Sequence, residues 1–140
     1  LAKHIGLDSM CFIYHFSQNP LYSPLTKTLF SKIQDKSITG ITSMILIAEI
    51  FVQTEKMDDR MILYEYERFF RSFPNLAVFP IDWYTARLAA RLRSEYKSLR
   101  IPDAIQLACA ILNECPVFLT NDKKLKKVKE IRVMILEDYV

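Results

Sequence analysis

The sequence predicts an α/β fold, a parallel sheet of about five strands flanked by helices on both faces. Two observations carry this reading. Short β-type runs at residues 4–7, 38–42, 76–81, 116–120 and 132–136 alternate with longer stretches of helical pattern, as βαβ units do. Those stretches also carry helix start signals and, in one case, a clear apolar stripe.

Element by element, the strand at 4–7 is followed by a helix over 24–34 and the strand at 38–42. Ser43 is placed to N-cap a helix over 44–54, and a further helix is expected over 60–72. After the strand at 76–81, Asp82 caps a helix over 83–97. Pro102 suits the first turn of a helix over 103–112, where Ala104, Leu107, Ala108 and Ile111 follow the i, i+3, i+4, i+7 stripe of a core-facing helix. The six prolines punctuate elements rather than cluster, and no repeat or flexible linker is visible. At 140 residues one domain, 1–140, is expected.

Composition narrows the function. With 51% hydrophobic and 25% charged residues the chain has the balance of an ordinary globule. Its two glycines, Gly6 and Gly40, cannot write either G-x-G-x-x-G or a P-loop, which removes glycine-rich phosphate loops. A net charge of +3 and a pI near 8.8 permit an acidic partner without requiring one. Cys11, Cys109 and Cys115 are odd in number, lack C-x-x-C spacing and lie in apolar stretches, as core residues of a reducing compartment do. His4 and His15 are too far apart for a helical metal pair, so zinc is disfavoured. No window approaches the ~18 apolar residues of a membrane span, and LAKHIGLD lacks a signal-peptide core, so a cytoplasmic location is expected.

Four acids stand where acids are costly. Asp8 closes IGLD, Glu49 interrupts MILIAEIFV, Asp103 follows the proline of RIPDAIQLACAI, and Asp122 follows VFLTN. A buried carboxylate without a partner costs several kcal/mol, so these positions point to a hard divalent cation. In parallel sheets, ligands bind beyond the carboxyl ends of the strands where strand order reverses. Asp8 and Asp122 each follow a strand directly, while Glu49 lies about two turns into a helix and Asp103 in a helix's first turn. All four can therefore lean over one edge.

Each acid also has a bland explanation. Asp103 is what a helix dipole favours, and Asp8 and Asp122 are common strand-end residues. Glu49 is harder to dismiss, because residues 44–52 are apolar on nearly every side of the helix. Their joint occurrence carries the weight. Asp82 serves as a contrast: it precedes WYTARLAARL as an N-cap should, and is assigned to structure.

GLDSMCFIYHF, TSMILIAEIF, LRIPDAIQLACAI and FLTNDKKL, in that order, resemble the four signature blocks of PIN-domain ribonucleases, particularly the small VapC-type toxins. The resemblance implies a Mg²⁺- or Mn²⁺-dependent endoribonuclease on a PIN-like sheet, with Asp8, Glu49, Asp103 and Asp122 as its catalytic and metal-binding quartet. It also implies polar supports at Ser9, Thr120 and Asn121, able to orient a carboxylate; Ser9 equally suits a local turn bond. A cognate antitoxin that covers a groove in the helical layer, and a possible homodimer, come with the same family. Residues 56–75 match no motif.

This chemistry suits these residue types. Phosphodiester hydrolysis needs hydroxide delivered to phosphorus and charge stabilised on the phosphoryl and leaving oxygens, which divalent ions do without a histidine base. Mg²⁺ prefers oxygen ligands and keeps several waters. Beside Asp122 runs DKKLKKVK, with Lys123, Lys124, Lys126, Lys127 and Lys129. Such a run is often only a solvated face, but its place next to the acids favours RNA backbone binding, with Arg100 as a further contact. The stretch YEYERFFRSF, with Tyr64, Tyr66, Phe69, Phe70 and Phe73, is expected to form a protein interface rather than a base-stacking platform. The competing class is a noncatalytic RNA- or protein-binding module on the same fold; it gains nothing from like charges held together. An aspartyl phosphotransferase is weaker still, since it wants a second aspartate where Met10 stands.

Overall fold

The computed structural model describes residues 3–140. Five strands, β1 (Lys3–Leu7), β2 (Ile38–Ser43), β3 (Leu76–Phe79), β4 (Val117–Thr120) and β5 (Arg132–Ile135), form one sheet in the order β3-β2-β1-β4-β5. Every neighbouring pair is parallel. The chain thus moves outward from β1 to β3 and then returns to the other side of β1. Strand order reverses between β1 and β4, where a parallel sheet opens a crevice beyond its carboxyl edge.

Helices cover both faces. One core packs α5 (Trp83–Glu95) and α6 (Ile101–Leu112) around Leu92, Leu107, Phe118 and Ile135. The other gathers α1 (Ser9–Phe16), α2 (Ser23–Gln34), α3 (Ile45–Met57) and α4 (Arg60–Ser72) around Leu7, Phe12, Phe30 and Leu46. Gly6 decides how closely α6 approaches β1: a Cβ there would lie 2.7 Å from Ala110 Cβ and 2.8 Å from a Phe118 ring carbon. Only glycine admits that contact, which brings the helix carrying Asp103 down onto the strand that ends at Asp8.

The expected strands and the five expected helices are present with small shifts at their ends; β3 stops at Phe79, short of Ile81. Asp82 caps α5 as expected, accepting from Thr85 N and Thr85 Oγ1 at 2.8 Å each. Ser43 does not cap α3. It closes β2, Met44 takes the cap position without a side-chain bond, and the serine hydroxyl accepts only a 3.3 Å contact from Ile45 N. The break between α3 and α4 comes from Asp58, left-handed at φ 50, followed by Asp59, whose carboxylate accepts from Met61 N and Ile62 N.

The structure differs from the sequence expectation at two further points. The sequence reading has no helix at α1: Asp8, extended at φ −78 and ψ 162, starts it by accepting from Ser9 N, in a segment rich in aromatic residues with modest helix propensity. In the aromatic stretch, Tyr66, Phe69, Phe70 and Phe73 are half-buried against the α1–α4 layer, with Phe69 edge-on to Phe12 and Phe30, while Tyr64 is well exposed. The helix around Glu49 is not closed to water, since Met44, Ala48 and Val52 form an exposed, apolar stripe at i, i+4, i+8.

Candidate active site

The register of the sheet builds the centre of the site. Leu7 pairs with Leu119, so Asp8 and Thr120 emerge side by side from the adjoining ends of β1 and β4. Asp8 N donates to Leu119 O at 3.0 Å, closing the strand pair at the point where β1 turns into α1. The Asp8 carboxylate then takes one bond on each oxygen, from Ser9 N at 2.8 Å and from Thr120 Oγ1 at 2.6 Å. Both Asp8 and Thr120 are buried. The threonine oxygen in turn accepts from Asp122 N at 3.1 Å. One hydroxyl thereby fixes an acid on β1 and the backbone of an acid beyond β4.

The other acids come from the helical layers. Asp103 lies buried in the first turn of α6, and Arg100 Nε donates to its Oδ2 at 3.2 Å. Glu49 sits half-buried in the second turn of α3. Asp122 caps a tight turn of the 3-10 type, Lys123–Lys127, by accepting from Lys124 N.

The acids also act on one another electrostatically. Burial pushes the Asp8 carboxyl above its ordinary value against its two hydrogen bonds, and the negative charges of Asp103 and Asp122 push the same way. Glu49 is raised by burial, then by Asp8 and Asp103. Arg100 is held more firmly charged by its bond to Asp103, with Glu49 and Asp122 adding to the effect. Among the described residues, however, no three His, Cys, Asp or Glu side chains stand close enough to enclose a metal ion together. Asp8 and Asp122 meet through Thr120 at the carboxyl edge of the sheet, the charges of Asp103 and Asp122 act on Asp8, and no closed ligand shell is formed among the described residues.

The remaining expected site residues divide. Ser9 reaches Asp8 through its backbone, not its hydroxyl. Asn121 touches no acid: its Nδ2 donates to Tyr14 OH at 3.0 Å and its Oδ1 accepts from Glu137 N at 3.0 Å, so it ties α1 and the C-terminal segment to the site loop. Of the lysines, Lys123 pairs with Glu137 at 3.0 Å and Lys127 donates to Ser98 Oγ at 2.7 Å. Lys124 lines a small cleft beside Asp103 and Asp122, and Lys126 is exposed. Leu125 and Val128 are the buried residues that anchor this basic segment.

Gln106 was missed by sequence reasoning. It is fully buried on α6, one turn beyond Asp103, and its Oε1 accepts from Ser43 N at 3.0 Å and Thr42 Oγ1 at 3.2 Å. Thr42 Oγ1 has a single proton, shared between Gln106 Oε1 and Leu7 O at 3.0 Å. The glutamine therefore locks the helix of Asp103 to the strand end from which α3 and Glu49 depart. Its Nε2 has no partner among the described residues. A lone polar residue on the apolar face of IPDAIQLACAI was the available signal.

A family model described as PIN domain matches residues 5–131, a span that holds all four acids. The chain belongs to the PIN domain family. Solved PIN-like chains share its architecture. DNA-bound VapBC from Salmonella typhimurium aligns at TM-score 0.74 and 19% identity, covering 97% of this chain and 99% of that one. A toxin–antitoxin complex from Klebsiella pneumoniae aligns at 0.69 and 22%, covering 96% and 98%. FitAcB from Neisseria gonorrhoeae aligns at 0.70 and 18%, again covering 96% and 98%. No curated protein sequence matches the chain. Among the described residues no helix of this PIN domain is long and apolar enough to cross a membrane.

Proposed function

We propose that the chain is a metal-dependent endoribonuclease, the toxin of a toxin–antitoxin pair, with Asp8, Glu49, Asp103 and Asp122 forming its catalytic site. The observation that carries this reading is the Asp8–Thr120–Asp122 bridge beyond β1 and β4, at the reversal of strand order, with burial and the charge of neighbouring acids, Asp103 among them, raising Asp8 and Glu49. Like charges held so are unfavourable unless a cation joins them. The likeness to toxin–antitoxin structures supports the toxin assignment and an antitoxin partner; pairing into a homodimer belongs to the same reading.

The residues fit a hard divalent ion. The donors are all oxygens, and Mg²⁺ or Mn²⁺ keeps several waters and needs only one or two carboxylates, so a closed shell of protein ligands is not required. Asp8 and Asp103, the two buried acids, would hold it, with Glu49 and Asp122 supplying further negative charge. When bound, the ion supplies Lewis acidity to the scissile phosphoryl group and to the attacking water.

The chain's own groups do the positioning. Thr120 and Ser9 N fix the Asp8 carboxylate, so its orientation needs no reorganisation when substrate arrives. Arg100, Lys124 and Lys126 meet the RNA backbone beside the acids, with Lys123 and Lys127 at the flanks. Such contacts place the strand without reading its bases. The test is to incubate the purified protein with a mixed RNA pool in Mg²⁺ or Mn²⁺ and in chelator. Fragments that appear with metal and vanish with chelator are the expected result; intact RNA that is bound but never cut would establish the binding module instead.

A further inference from the structure

Arg100 stands where two roles meet. It lies just ahead of α6 with extended backbone, φ −80 and ψ 157, and its Nε bonds the carboxylate three residues on. Its side chain is 70% exposed while that of Asp103 is 10% exposed, so the arginine reaches in from solvent over a buried acid. The charges of Glu49 and Asp122 act on the same guanidinium. In this state Arg100 is the positive charge paired with Asp103.

The same residue lines one cleft together with Asp103, Asp122, Lys124 and Lys127, so the arginine, the buried acid and two lysines face a common opening. The arginine end of the pair is open to solvent, whereas the buried carboxylate needs a cation in its place once the arginine leaves. Only Nε is committed to Asp103, and the terminal nitrogens of the planar fork remain for a phosphate oxygen.

We propose that Arg100 is an internal counter-ion that exchanges with the divalent cation at Asp103, and on leaving the carboxylate becomes a clamp on the RNA phosphate. The inference rests on the nuclease reading above and adds a coupling to it. Metal releases the arginine for RNA, and RNA, by holding the arginine away, strengthens metal binding; thermodynamic linkage makes the two effects equal. Lys124 lines the same cleft but makes no ion pair among the described residues, and takes no part in the exchange.

Calorimetric titration of Mn²⁺ into the wild type, Arg100→Gln and Arg91→Gln tests this. Arg91 pairs with Glu95 on the exposed face of α5 and controls for the loss of one positive charge. Removing a competing positive charge beside a carboxylate strengthens its attraction for a dication, so Arg100→Gln should bind Mn²⁺ tighter, by roughly three- to tenfold, and Arg91→Gln as the wild type does. Saturating Mn²⁺ should also tighten binding of an uncleavable 2′-O-methyl oligoribonucleotide more for the wild type than for Arg100→Gln. Unchanged or weaker Mn²⁺ binding in Arg100→Gln, beside normal binding in the wild type, would overturn the exchange and leave the nuclease reading standing. Absence of Mn²⁺ binding in the wild type would overturn both.

Discussion

Thr120 Oγ1 donates to Asp8 Oδ2 at 2.6 Å and accepts from Asp122 N at 3.1 Å, joining two of the four acids through one buried hydroxyl. A hydrogen bond to a charged group contributes about 1.5–3 kcal/mol, and leaving the acid short of a donor costs its desolvation as well. Thr120→Val keeps the shape and removes the hydroxyl. It should lower unfolding free energy near neutral pH by about 2 kcal/mol in urea titrations, with a smaller loss in acid, where Asp8 is protonated; Thr120→Ser should restore most of it. A valine variant as stable as the wild type would mean that the bond does not hold Asp8.

The raised carboxylates set a pH dependence with a definite sign. In the folded state Asp8 and Glu49 keep their protons above the ordinary 3.8 and 4.5. Between those values and the raised ones the unfolded chain binds fewer protons than the folded chain, so stability falls as pH rises through that window. Metal-free protein in chelator should therefore lose stability from acid toward neutral pH, and Asp8→Asn should flatten the loss. Adding Mn²⁺ should raise the melting temperature with the logarithm of its concentration above the dissociation constant. A metal-free protein that gains stability over the same pH range would contradict the shared burial of these acids.

The basic segment gives a graded prediction. Among the described residues Lys124 and Lys126 carry no ion pair, whereas Lys123 is engaged by Glu137 and Lys127 by Ser98. Replacing Lys124 and Lys126 by alanine should weaken RNA binding without moving the cleavage positions. It should also flatten the log–log salt dependence by up to about 0.7 per lost contact on single-stranded RNA, and Lys123→Ala should do less. A slope that does not change would return the run to an ordinary solvated surface.

Much of this was legible in the chain because it rests on local signals. The alternation of strands and helices, Asp82 as a cap and the strand-end positions of Asp8 and Asp122 follow from neighbours in sequence. The helix α1 was hidden because its residues favour strands about as well as helices, and its start depends on Asp8 accepting from Ser9 N rather than on a periodic pattern. Gln106 was hidden for another reason. Its partners Thr42 and Ser43 lie more than sixty residues away, and only the sheet's register brings them within reach. Asn121 was expected from the family resemblance to support the acids; its amide instead bonds Tyr14 and Glu137, partners that only the fold brings near.

The central claim is that the acids beyond β1 and β4 cut RNA. Its most direct test compares Asp8→Asn with Asp82→Asn in one cleavage assay, on RNA in Mg²⁺ or Mn²⁺, with both variants shown folded by circular dichroism. Asp8 lies in the buried cluster, whereas Asp82 only caps α5; each change keeps side-chain volume and removes one charge. The account predicts that Asp8→Asn abolishes chelator-sensitive cleavage and that Asp82→Asn cuts at close to the wild-type rate. Cleavage by Asp8→Asn at the wild-type rate, in protein freed of contaminating nuclease, would contradict it.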